Sequence, residues 1–90
     1  MIKPTVGRVV LVRRPDEDHQ IPALICYVHT DRLVNVGGFD SNGRPFSLSS
    51  LTLLQDDDPA PKGLPYAEWM QYQKEVASGE REPTLHAEKP

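Results

Sequence analysis

The chain is short of almost everything that advertises chemistry. Its 90 residues hold one cysteine, one tryptophan, three tyrosines, two phenylalanines and three histidines. A single cysteine, Cys26, excludes an internal disulfide framework. The start, Met-Ile-Lys-Pro, carries no apolar run of signal-peptide or membrane-spanning length, so a soluble, cytosolic chain with no membrane association is expected. A basic excess is missing too. Residues 1–55 carry six basic side chains (Lys3, Arg8, Arg13, Arg14, Arg32, Arg44) against five acids, a balance of +1; residues 56–90 carry four against eight, a balance of −4; the sum is the formal net charge of −3. A protein that grips the phosphate backbone without regard to sequence shows a strong positive excess, so generic nucleic-acid binding is not expected.

Catalytic patterns are equally scarce. His19, His29 and His86 fall in a loop, at a strand end and in the tail, without the local spacing of a metal site or a nucleophile partner. Cys26 sits among Leu24, Ile25 and Val28, where a small buried hydrophobe is the expected role rather than a reactive thiol. Asp56-Asp57-Asp58 lacks the glycine turn and distal bidentate acid of a calcium loop and reads as a solvated linker. No enzyme activity, cofactor or metal is expected.

What the chain does have is β-strand pattern. Val6 to Arg14 holds four consecutive apolar residues, Val9 to Val12, which suits a strand buried on both faces. A polar loop containing Pro15 follows, then a second strand over Pro22 to His29. A two-residue turn at Thr30-Asp31 leads to a third strand over Arg32 to Asp40. That register places Ile25, Tyr27, Val34 and Val36 on one face as the core. Phe39 then falls on the wrong face unless an extra residue is inserted, and Gly37-Gly38 is the easiest place for a bulge that returns it opposite Phe46. Asp40-Ser41-Asn42-Gly43-Arg44 reads as a tight type I′ hairpin, because Asn and Gly best tolerate positive φ at both central positions. Phe46 and Leu48 alternate with serines, and Leu51 and Leu53 continue with shifted parity, so Ser49-Ser50 should separate a fourth short strand from a fifth. The pattern predicts a mainly β protein: a small five-stranded SH3-like barrel over residues 1–55, with an OB-type barrel as the competitor.

The C-terminal third reads differently. Residues 56–65 form a Pro/Asp linker. Tyr66 to Ala77 suits a short helix, within an aromatic tail segment spanning 66–78, with Pro65 and Glu68 near its start and Gly79 to end it. Residues 79–90 have no apolar spacing and are expected to be disordered. About 55 residues make a marginal core, so a second source of burial is expected, either the tail docking back or a second copy in a homo-oligomer, most simply a dimer.

Two groups of side chains are candidate partner or ligand contacts. Arg8 and Arg14, with Arg13 beside them and with Arg32, Tyr27 and His29, would make an anion-binding or base-stacking surface; a solvated edge balanced by the acids at 16–18 is the plainer alternative. Trp69 and Tyr72 supply large contact area at low entropic cost, and they cap their own barrel, cap a neighbour's or grip a partner.

The order of several pieces adds a resemblance. Lys3-Pro4-Thr5-Val6-Gly7-Arg8-Val9-Val10, Tyr27-Val28-His29-Thr30 leading to Leu33-Val34-Asn35-Val36, Phe39-Asp40-Ser41-Asn42-Gly43 before Pro45-Phe46, and Glu68-Trp69-Met70-Gln71-Tyr72-Gln73 together resemble a group of small proteins encoded by tailed bacteriophages and prophages, over roughly residues 3–75. In that group a proline stands between the Met and the aromatic residue, where this chain has Gln71. The resemblance carries no family-wide enzymatic activity and implies a phage setting. It leads to a non-enzymatic accessory protein in the host cytoplasm that binds a host molecule, for example to blunt a bacterial defence. A binder of a small anionic ligand such as a nucleotide signal at an intersubunit pocket, and a virion or assembly component, are the alternatives.

Overall fold

Val9–Arg13 (β1), Ile21–Thr30 (β2), Leu33–Phe39 (β3), Pro45–Leu54 (β4) and Tyr66–Glu68 (β5) close into a barrel in that order, followed by one helix, Gln71–Ser78 (α1). This is a computed structural model, and it describes residues 1–79; the expectation for the tail beyond Gly79 lies outside the described residues. The architecture is the small SH3-like barrel that the strand pattern predicts. All neighbouring strands are antiparallel except β4 and β5, which run parallel and complete the circle.

The strand that closes the barrel is not the expected one. β4 is continuous through Ser49-Ser50, and the parity shift there is absorbed by a bulge between the pairs Val36↔Leu48 and Val34↔Leu51, with Ser50 at φ 54°. Asn35 makes that left-handed residue possible, because its Oδ1 accepts the Ser50 N–H at 2.7 Å. The fifth strand is instead Tyr66-Ala67-Glu68, wedged between β1 and β4, so the barrel extends past residue 55 and the helix begins at Gln71 rather than Tyr66. Pro65 and Glu68 therefore lie outside the helix. Its N-terminus is held by Gln73, whose Oε1 accepts the Met70 N–H at 2.8 Å while its Nε2 donates to the Val9 carbonyl at 3.0 Å. Gly79, at φ 84°, ends the helix as expected.

The core comprises Val10, Val12, Ile25, Val34, Val36, Leu51, Leu53, Ala67 and Trp69, with Ala23 beside them. Three of the four nominated residues are in it. Tyr27 is not: it is 56 % exposed. β2 bulges at Cys26, between the pairs Ile25↔Val36 and Tyr27↔Asn35, and this single extra residue turns Val28 inward and Tyr27 outward. Cys26, expected to be buried, is exposed on that bulge. A second irregularity before Thr30↔Leu33 moves the turn to Asp31-Arg32.

Gly37-Gly38 carries no bulge. Both residues pair in register with β2 and β4, and Phe39 stays outside, 64 % exposed opposite Pro45. Gly38 serves close strand approach, since a Cβ there would lie 2.8 Å from the Pro22 carbonyl oxygen. The hairpin at residues 40–44 forms, but not as type I′. Only Gly43 has positive φ (79°), the Gly43 N–H donates to the Asp40 carbonyl, and the Asp40 carboxylate accepts the N–H groups of Asn42 and Arg44. That is a type I turn followed by a left-handed glycine, the longer hairpin alternative.

One buried polar side chain ties these parts together. Gln55 is 1 % exposed; its Oε1 accepts from the Ile2 N–H and the Trp69 indole Nε1–H, both at 3.1 Å, and its Nε2 donates to the carbonyls of Ile2 and Asp31, both at 2.8 Å. A primary amide has two donors and two acceptor positions, and here all four are used. The Gln55→Ala variant leaves these partners unsatisfied at once and should lose about 2–4 kcal/mol. In urea this appears as a lower midpoint with unchanged slope; a loss below about 0.5 kcal/mol would place the stability elsewhere.

Candidate functional site

The sequence-nominated residues do not converge. Arg14 folds back onto Glu17 in an ion pair and lies 5.0 Å over the Phe46 ring. Arg32 donates from Nε to Asp58 at 2.7 Å, and Asp58 in turn accepts the Gln55 N–H, so this arginine braces the β2–β3 turn against the loop after β4. Arg8 stands at the far end of β1 from Arg14, its carbonyl accepting the Ile25 N–H. Tyr27 and His29 do meet, edge to face at 4.9 Å on the outer face of β2. His29 Nε2 lies 2.9 Å from Asn35 Oδ1. Trp69 is 2 % exposed inside its own barrel and presents nothing to a partner, whereas Tyr72 is half-buried on α1.

Charge offers no alternative focus. A hollow between the N-terminal segment, residues 55–58 and α1 is lined by acids, but Asp58 is held by Arg32, and Glu68 by Lys74 and Gln20. Among the described residues there is no cluster of three or more His, Cys, Asp or Glu able to hold a metal, and no helix is long and apolar enough to cross a membrane.

The feature that sequence reasoning missed is apolar. Outward positions on β1 to β3 form a groove of about 500 Å³, walled by Val9, Leu24, Cys26 and Phe39 with Gly37 as its floor, and bordered by Phe46, whose ring packs against the core. Leu24 is 50 % and Phe39 64 % exposed, while Pro22 and Pro45 close one end. Tyr27, His29, Asn35 and Thr52 occupy outward positions at the other end of the same sheet, so the contiguous apolar side chains here set this face apart. The groove is open because Gly37 has no side chain. A Cβ there would meet Cys26 Sγ at 3.5 Å and the Phe46 carbonyl oxygen at 3.7 Å, ordinary contacts. Neither Arg8 nor Arg44 lines it, and Arg44 acts on the Asp40 carboxylate of its own hairpin.

Comparison with protein-family models, curated proteins and solved structures returned no match.

Two outcomes follow from this geometry. Cys26 in the folded protein should react with an aromatic disulfide reagent without denaturant; reaction only after unfolding would put the β2 bulge in the wrong place. Acid should also destabilise the fold through two named carboxyls. The N–H groups of Arg44 and Asn42 hold the Asp40 carboxyl below the ordinary carboxylate range, and Arg32 and the Gln55 N–H do the same for Asp58. A depressed folded-state pKa contributes stability above the unfolded value and loses it as pH falls through the folded one, so the urea midpoint should drop below about pH 4. Asp58→Asn should flatten part of that acid limb; an unchanged slope would show that the Arg32 pair contributes nothing.

Proposed function

We propose that this is a non-enzymatic binding protein of a phage or prophage, acting in the host cytoplasm, whose apolar groove receives a host protein. The observation that carries the reading is the groove itself: a glycine-floored cleft between exposed Leu24 and Phe39 on an outward face of the barrel. The fitting partner inserts an apolar side chain into it. The anionic-ligand alternative finds less support, since Arg14 and Arg32 are already neutralised by Glu17 and Asp58. Trp69, committed to Gln55, is not a gripping residue in this reading, and the proposed contact lies on the barrel alone.

The test is recovery of the tagged protein from infected cells after chemical crosslinking, followed by intact and peptide mass spectrometry. Gly37→Val fills the groove without backbone strain, and Lys62→Ala in the linker is the control. A host protein captured by the wild type and the control but lost with Gly37→Val supports the reading. A retained nucleotide, a set of virion proteins, or a host protein indifferent to Gly37→Val would overturn it.

A further inference from the structure

The barrel is closed, yet half of β4 has a neighbour on one side only. Its last residues, Thr52 to Leu54, pair with β5, whereas Pro45 to Leu48 pair with β3 alone. The phase of that ladder follows from the hairpin. The Asp40 N–H donates to the Arg44 carbonyl at 2.8 Å, so hydrogen-bonded pairs recur at Gly38↔Phe46 and Val36↔Leu48. The backbone groups of Pro45, Ser47 and Ser49 therefore face the open edge, and Pro45 fits that phase because the N–H it lacks would have pointed to solvent. Ser47 and Ser49 are exposed. Open edges in soluble proteins normally carry a lysine, a charge or a twist that repels other strands. From Pro45 to Gln55 this one carries no charge at all.

We propose that a second copy of this chain covers this edge, with β4 of each copy pairing antiparallel about a two-fold axis through Leu48. Ser47-Leu48-Ser49 reads the same in both directions. A two-fold at Leu48 thus sets Ser47 of one copy against Ser49 of the other as a hydrogen-bonded pair, reciprocally, using the outward-facing groups of both. The paired stretches themselves carry no charged side chain, and Pro45 limits the pairing to this short stretch. The edge adjoins the groove at Phe46, so the dimer brings two grooves to one side of a continuous sheet. The inference stands on backbone pairing and does not depend on what the groove binds.

Sedimentation equilibrium tests it together with amide exchange of individual residues. Strand pairing alone covers less than a standard interface, so the dimer should appear over about 10–100 µM protein. The expected result is twice the 10.1 kDa chain mass, with Ser47 and Ser49 amides protected only at concentrations where the dimer forms. Ser47→Pro removes an outward N–H without touching the β3 ladder and should return the protein to monomer with Leu48 still protected; Ser47→Lys should do the same by repulsion. A monomer throughout that range, or a dimer in which the Ser47 and Ser49 amides exchange freely, would overturn the proposal.

Discussion

The structure hangs on the hydrogen bond from the Trp69 indole to Gln55, inside a side-chain amide whose four positions are all filled. Gln55 immediately follows β4, Trp69 immediately follows β5, and Ile2 and Asp31 belong to the N-terminal segment and the β2–β3 turn. One buried amide therefore joins four parts of the chain far apart in sequence. A buried polar group is costly unless satisfied, and that cost is what makes the arrangement specific: a tail docked in another register would strand the amide or the indole. The closing strand, only three residues long, depends on this anchor because its own ladder is too short to hold it.

Closure of the barrel by the tail changes the meaning of the aromatic segment. Trp69 and Tyr72 do not share a helical face, since Trp69 precedes α1 and points into the barrel. The burial that a marginal core calls for is supplied in cis by Ala67 and Trp69. Surface apolarity is left on the outer face around Leu24, Gly37 and Phe39, and exposed backbone is left along Ser47 and Ser49. Those two surfaces are adjacent and chemically distinct, one suited to side-chain insertion and the other to strand addition.

The barrel class, a hairpin at Asn42-Gly43, the parity shift at Ser49-Ser50 and the helix stop at Gly79 were legible because each is a local signal of alternation or backbone freedom, whereas the strand break expected at Ser49-Ser50 and the type I′ geometry did not form. The bulge at Cys26 was not. From Ala23 to Val28 β2 is a continuous apolar run with no polar residue to mark its faces, and only pairing with Asn35 and Val34 reveals the extra residue, which reversed the expected places of Tyr27, Val28 and Cys26. β5 escaped for a related reason: Tyr66-Ala67-Glu68 is too short to show a period, and Pro65 before it with Glu68 at its end imitate a helix start. The groove was hidden by Gly37, whose role is an absent side chain facing solvent, while Gly38 beside it does the structural work of close approach. Arg14 and Arg32 looked like free cations because their partners, Glu17 and Asp58, have roles set by folding.

Fluorescence of Trp69 in the isolated protein tests the central claim most directly, because it is the only tryptophan in the chain and reports on the closing anchor alone. An indole held by Gln55 inside the barrel should emit well to the blue of hydrated indole, resist quenching by iodide, and shift to the red in one step with global unfolding. Emission at the hydrated position in native buffer, or a red shift that precedes loss of the β-sheet signal, would contradict a barrel closed by its own tail.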